Sequence, residues 1–444
     1  VLNRVLQACR DIASRIKNNP DYGWSIASSY GHIGINIVVQ ILLVPLYLSH
    51  LGKTEFGVLM IMLGTVNYMG MGIGWVSSGA QRIMGEYAAR NETGHVARTY
   101  SLSKIIFVIY AALTGGIAFG IVWTMRNDLF INTPDLGETT VRMVALGAVY
   151  VVALYDFNVD RLVLIAIGKQ AWANTLSIIS LIVFACSVSP VLSAGGGLVG
   201  VMGALLFGVI VARVFSFVLV RKQGLRFCWP GQEGRLIFKR LIGPMGMGYA
   251  AYGALLLTLL QADTLILGAL GGPLLVADFI LIWKIADVAM QAIWRLPESL
   301  IPYLIQMDAR GEHKRMQSIY ASAQKAMFVL AAIAGIGFAL FGQDVVTLWV
   351  GKEHAPDLPW AYGLAGGALF WMSVARLPAI FAFSQVRLKP LIQVTAIETI
   401  GKVVFVFALF PTMSLYAPIV AINIVHILGV AYLYQRLYRP CINE

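Results

Sequence analysis

Five stretches of this chain, residues 22–52, 56–81, 105–125, 170–212 and 403–435, contain no Asp, Glu, Lys or Arg. Each is long enough to cross a bilayer, because about 20 apolar residues in a helix span a hydrocarbon core of about 30 Å. Lipid offers no partner to an exposed N–H or C=O, so successive apolar tracts must close their hydrogen bonds within helices. With 58% hydrophobic and 12% charged residues, little of the chain is left for a soluble domain. The expectation is an all-α polytopic membrane protein with twelve transmembrane helices.

Turn residues and charge breaks place the spans near 26–49, 56–78, 103–125, 141–165, 171–189, 198–220, 243–267, 276–300, 321–341, 360–383, 391–410 and 415–435. Gly195, Gly196 and Gly197, then Gly271, Gly272 and Pro273, then Pro411, punctuate three of the connections. The tract 22–48 follows a basic segment, yet it is longer than a secretory signal core and lacks a small-residue cleavage pattern, so it is expected to be retained as the first span. Lys and Arg then set the orientation. With the N-terminus inside, the inner segments hold 24 of them and the outer segments only Lys53, Arg126, Arg142 and Lys352. Both termini are expected in the cytoplasm, and the net charge of +11 is mostly this asymmetry. The basic residues sit in short loops without interleaved aromatics, which speaks against nucleic acid. Cys9, Cys186, Cys228 and Cys441 are scattered and show no metal spacing.

The chain also repeats itself at an offset of 220 residues. Gly52 matches Gly272, Ala89-Arg90-x-Glu92 matches Ala309-Arg310-x-Glu312, Tyr100 matches Tyr320, Ala111-Ala112 matches Ala331-Ala332, and Gly115 matches Gly335. Duplication predicts two parallel six-helix lobes, 1–225 and 226–444, inserted the same way up and facing a cleft, with the basic segment 221–240 as linker.

Ionisable residues inside spans are costly and normally face a bundle interior or a water-filled cavity. Lys284, Asp287, Gln291 and Arg295 recur at steps of three, four and four, which puts all of them on one helix face. That face reads either as a cationic lining for a substrate phosphate, or as an internal Lys284–Asp287 pair with Arg295 reaching the inner interface. Arg376, just before Pro378, and Arg213 are further basic candidates, each with the interface as the plainer role. Asp263 could bind an ion, carry a proton, or pair with an arginine; with Asp287 and Glu398 it forms the acidic set for ion or proton coupling. Glu398 and Lys402 have the spacing of a mutually neutralising pair. Asp156 and Asp160, beside Arg161, read as solvated at the inner interface. His32, Asn36 and Gln40 form a polar strip on the first span, suited to a sugar or to a neighbouring helix. The aromatics Trp24, Tyr47, Trp229, Trp349, Trp360, Tyr434 and Tyr438 fit interface belts, and the basic amphipathic segment 81–95 fits the inner surface.

No Gly-x-x-x-x-Gly-Lys-Ser/Thr loop and no His-Glu-x-x-His occurs, so neither a nucleotide-driven motor nor that hydrolytic metal site is encoded. Nor is there a long extramembrane segment to house a catalytic domain, which leaves an intramembrane glycan-processing enzyme as a minor alternative.

The first hairpin, Leu46-Tyr-Leu-Ser-His-Leu51-Gly52-Lys-Thr-Glu-Phe56-Gly57, resembles the Leu-Gly-x-x-x-Phe/Tyr-Gly pattern of bacterial polysaccharide flippases, a family of the multidrug, oligosaccharidyl-lipid and polysaccharide exporter superfamily. Asp263-Thr-Leu-Ile-Leu-Gly268, Gly271 to Phe279, and Leu300-Ile-Pro302-Tyr-Leu followed by Gly311-Glu resemble its seventh and eighth helices, with Phe279 where the family commonly has tyrosine. The resemblance implies a bacterial inner-membrane protein that moves an undecaprenyl-pyrophosphate-linked oligosaccharide from the cytoplasmic to the periplasmic leaflet. Two lobes can enclose a cleft within one chain, so a monomeric transport unit without a cofactor is expected, and the missing nucleotide loop leaves a cation, a proton or the membrane potential to drive it; the resemblance adds a polysaccharide polymerase and glycosyltransferases as partners. By their positions in the helices, and not by a family signature, substrate-binding residues are expected among Lys284, Arg295, Arg376, Arg213, Gln291, His32 and Asn36. The alternative within the superfamily is a cation-coupled exporter of drugs or small amphipathic compounds.

Overall fold

The computed structural model describes residues 20–69, 74–129, 134–241, 243–385 and 387–429, and among these every regular element is helical. In order they are α1 (Pro20–Met69), α2 (Gly74–Ala89), α3 (Thr93–Leu129), α4 (Pro134–Ala166), α5 (Gln170–Ser193), α6 (Gly197–Lys222), α7 (Gly231–Leu241), α8 (Pro244–Ala309), α9 (His313–Val350), α10 (Pro359–Ser384), α11 (Leu388–Met413) and α12 (Tyr416–Leu428). Cys9, Cys441, Tyr434, Tyr438 and the end of the twelfth expected span lie outside the described residues.

α1 and α8 run for 50 and 66 residues, far more than one crossing needs. Each is broken by one glycine outside helical geometry: Gly52 at φ 72°, ψ 174° and Gly272 at φ 79°, ψ 178°. Only glycine adopts that backbone without a steric penalty. Among the described residues nine helices are long and apolar enough to cross a membrane; with the arms of α1 and α8 counted separately and the shorter α12 added, the twelve expected spans are all represented. The chain is a multi-pass membrane protein.

The two breaks stand 220 residues apart, and the repeat reaches further into the backbone. In the α2–α3 turn the Arg90 and Glu92 amides both donate to the Tyr87 carbonyl, and Thr93 N–H donates to Asn91. In the α8–α9 turn Arg310 and Glu312 donate to Met307, and His313 donates to Gly311. Asn91 and Gly311 both take positive φ, 59° and 69°. Gly115 and Gly335 do the same work in register: a Cβ on the first would stand 3.0 Å from Ala148 of α4, and one on the second 2.7 Å from the Gly366 carbonyl of α10. Small residues let helix backbones approach where lipid supplies no hydrophobic drive.

The chain divides into two compact units, residues 1–50 with 73–246, and 51–72 with 247–444. In the first, α3, α4, α5 and α6 pack side by side, and a Cβ on Gly208 of α6 would lie 2.6 Å from the Ser180 carbonyl of α5. In the second, the C-terminal arm of α1 is seated on α8. A Cβ on Gly57 would overlap the Pro273 carbonyl, Gly64 faces Thr264, Gly268 faces Ile61, and Lys53 pairs with Asp278 at 2.5 Å. α10 is buried along most of its length, as a predominantly apolar helix inside a bundle is. By contrast α6 and α9 leave Phe207, Val214, Phe215, Ile333, Ile336 and Leu348 exposed, the surface expected to meet lipid.

Candidate functional site

In the first unit three helices each contribute two polar residues one turn apart: Tyr100 and Lys104 from α3, Asp156 and Asp160 from α4, Arg213 and Ser216 from α6. Such spacing keeps both members on one face. Asp160 is fully buried and its two oxygens are saturated. Tyr100 Oη donates to Oδ1 at 2.7 Å and Lys104 Nζ lies 3.1 Å from it; Arg213 Nη1 and Ser216 Oγ donate to Oδ2 at 2.9 and 2.5 Å. Asp156 accepts from Lys104 at 2.6 Å and from Arg213 Nε. Two carboxylates thus meet two cations, and Arg213 also stacks on Phe217 at 5.5 Å. The sequence reading that left Asp156 and Asp160 solvated is corrected here: Lys104 and Arg213 compensate them inside the bundle. Arg213, expected as a substrate contact, has its charge taken up within this network, the kind of saturated polar cluster that fixes helix register.

His32 and Asn36 are half-buried on α1 in the same unit. Four and three residues upstream of His32, Ser28 and Ser29 accept from Asn174 Nδ2 at 3.1 and 2.8 Å, which ties this part of α1 to α5.

The second unit holds the other candidates. Lys402 of α11, 1% exposed, donates to the Leu259 carbonyl and, at 2.7 Å, to Asp263 Oδ2 of α8. The expected Glu398–Lys402 neutralisation along α11 is corrected, because the ammonium is turned across to α8. The expected arginine partner of Asp263 proves to be a lysine. Asp263 Oδ1 is buried with no hydrogen-bond partner among the described residues. Glu398, one turn before Lys402, is 2% exposed, and His426 of α12 is 4% exposed with Nδ1 3.1 Å from the Ile422 carbonyl.

Glu398 and His426 line a small cavity of about 30 Å³ together with Tyr252, Trp294, Arg376 and Thr395. Arg376 lies over the Trp294 ring at 4.8 Å and donates from Nη2 to Glu298 Oε1 at 2.7 Å; Arg295 Nη1 donates to Glu298 Oε2, also at 2.7 Å. Glu298 therefore serves both arginines. Sequence reasoning missed it, although the Arg295-x-x-Glu298 spacing was the available signal. Three donors here, Arg295 Nε, Arg376 Nε and Trp294 Nε1, are buried without an acceptor among the described residues.

Lys284, Asp287, Gln291 and Arg295 do share a half-buried face of α8. Gln291 Nε2 donates to Asp287 Oδ2 at 2.8 Å, and Lys284 and Asp287 lie within electrostatic reach of one another. The structure thus gathers Asp263, Glu398, Arg376 and Arg295 around the interior of one unit and places His32, Asn36 and Arg213 in the other. Among the described residues no group of three or more His, Cys, Asp or Glu is arranged to hold a metal ion.

No protein-family model and no curated protein sequence matches the chain. Solved structures do. An inward-facing multidrug resistance MATE family transporter of the MOP superfamily is 15% identical with a TM-score of 0.67, over 91% of this chain and 98% of that one. An outward-facing conformation of such a transporter gives 16% and 0.67, over 95% and 96%. A MOP superfamily transporter from Pyrococcus furiosus, described as having a binding pocket of reverse polarity that suggests a different function, gives 16% and 0.66, over 94% and 96%. Similarity at this level of identity establishes architecture: the chain has the fold of the MOP superfamily transporters.

Proposed function

We propose that the chain is a secondary transporter that moves amphipathic molecules across the membrane, driven by a proton or cation gradient through the acidic residues of its second unit. The observation that carries this reading is the buried Asp263–Lys402 pair, with Glu398 and His426 on the adjoining cavity, in a fold shared with multidrug transporters of the MOP superfamily. Buried intramembrane carboxylates of this kind are the usual means by which a transporter senses an ion or proton. Alternating access by two duplicated halves would then expose the cargo to each side in turn. The leading cargo class is a small amphipathic compound, because the arginines once read as a phosphate clamp are engaged internally, Arg213 by Asp156 and Asp160, and Arg295 and Arg376 together by the single carboxylate of Glu298.

Flipping of an undecaprenyl-pyrophosphate-linked oligosaccharide in a bacterial inner membrane, both termini cytoplasmic, is the second reading. It is supported by Arg295, whose side chain is 42% exposed despite its ion pair and so can meet an anionic head group, and by the flippase-like motifs around Gly52 and Asp263. Polysaccharide polymerase and glycosyltransferases would be partners only in that case.

The test is reconstitution in vesicles with an imposed pH or sodium gradient. Gradient-driven movement of a fluorescent lipophilic cation, abolished in Glu398→Gln at unchanged abundance, is the expected result. Exposure of lipid-linked oligosaccharide to an impermeant probe, without dye movement, would select the second cargo. Movement of neither cargo under any gradient would overturn the proposal.

A further inference from the structure

The segment joining α6 to α8 presents a surface that the transport reading does not use. Its backbone is pinned to the first unit: Leu225 and Pro230 are buried, and the Cys228 amide donates to Ser101 Oγ at 2.9 Å. α7 is held in turn by its buried face, Gly234, Ile237 and Leu241. On one flank Glu233 pairs with Arg98 and approaches His95 Nε2 at 3.5 Å, while Arg240 pairs with Glu86 of α2. Internal pairing thus uses up one edge of the helix.

The opposite face carries a different chemistry. Arg235, Leu236 and Lys239 point away from the buried face, and Phe238 stands at the free flank. Trp229, Leu236 and Phe227 are 78, 69 and 56% exposed. Interleaved with them, against the expectation that the basic loops lack aromatic neighbours, Arg226, Arg235 and Lys239 are exposed and have no ion-pair partner among the described residues. Just upstream, Arg221 stacks on Phe217 at 4.2 Å where α6, an apolar span, ends. Large apolar side chains and unpaired cations, alternating on one rigid surface at the end of a span, match the two layers of a membrane interface: acyl boundary for the rings and leucine, phosphate for the guanidinium and ammonium groups.

We propose that α7 and the preceding connector form a docking surface for the head groups of anionic phospholipids. The proposal is independent of the cargo. A protein partner could satisfy the cations or the apolar groups, but the position at the end of a membrane span and the charge complementarity both favour lipid.

The test uses the full chain in a neutral detergent and counts retained phosphatidylglycerol and phosphatidylcholine by native mass spectrometry. Wild type should prefer phosphatidylglycerol, and the preference should weaken with salt. Arg235→Gln/Lys239→Gln should lower it by roughly 25-fold, at about 5-fold per charge. Arg226→Gln, outside the helix, should lower it by about 5-fold and serves if the double variant does not fold. Trp229→Ser/Leu236→Ser should weaken both lipids equally. Unchanged preference in the charge variants would overturn the proposal. So would equal competition by inorganic phosphate, or a change of oligomeric state in Trp229→Ser/Leu236→Ser with lipid binding intact.

Discussion

Replacing Lys402 by Met tests the interior of the second unit most directly. Lys402 and Asp263 are 1 and 4% exposed and meet at 2.7 Å, so removing the ammonium leaves a carboxylate buried opposite an apolar side chain. Asp263 Oδ1 already has no hydrogen-bond partner among the described residues, so no existing hydrogen bond at that oxygen takes over the compensation. Breaking a buried pair in this way costs about 3–5 kcal/mol. At about 2–4 °C per kcal/mol, the thermal midpoint in a single detergent should fall by about 6–20 °C. Asp263→Asn/Lys402→Met removes both charges and leaves only an imperfectly bonded amide, at about 1–2 kcal/mol. The double variant should therefore be more stable than Lys402→Met alone, with a coupling of about 2 kcal/mol or more in the cycle. Equal, additive losses, or a single-variant loss below about 1 kcal/mol, would refute the claim that the pair is desolvated and mutually compensating.

Gly57→Ala should destabilise the second unit by about 1–3 kcal/mol, because the new methyl meets the Pro273 carbonyl on rigid backbone; Gly253→Ala, where nothing lies within 4 Å, is the control and should be near neutral in the same melt. The Glu233 carboxyl is held below its ordinary range chiefly by the Arg98 hydrogen bond and then by the charges of Arg98 and His95; Glu86 is held down by Arg82 and then Arg240. A depressed carboxyl pKa contributes stability that is fully present above the unfolded value of about 4.3 and lost as pH falls through the folded value. Hydrogen exchange of α7, corrected for intrinsic rate, should thus be flat from about pH 5 to 8 and rise only below about pH 4; a rise near pH 6 would contradict it. For orientation, an engineered cysteine at Asp357 should react with an impermeant thiol reagent in intact cells and one at Gly311 should not, and the reverse pattern would refute a cytoplasmic N-terminus.

The sequence alone determined the class of this molecule, because hydrocarbon imposes a helix on any apolar tract long enough to cross it. The twelve spans followed from that rule, and the repeat at 220 residues was legible because Gly52 and Gly272 are the residues that can take the φ near +75° at which both long helices break. The shared face of Lys284, Asp287, Gln291 and Arg295 was likewise a matter of helical period. Pairing between helices was not legible, since periodicity describes one element at a time. Lys402 read as the partner of Glu398 along α11, and only packing of α11 on α8 gave it to Asp263. Arg213 and Arg376 read as open cations until α4 brought up Asp156 and Asp160 and the end of α8 brought up Glu298. Tertiary structure decides these cases because a charge in low dielectric is governed by whichever opposite charge the fold places within about 3 Å, whatever its distance along the chain.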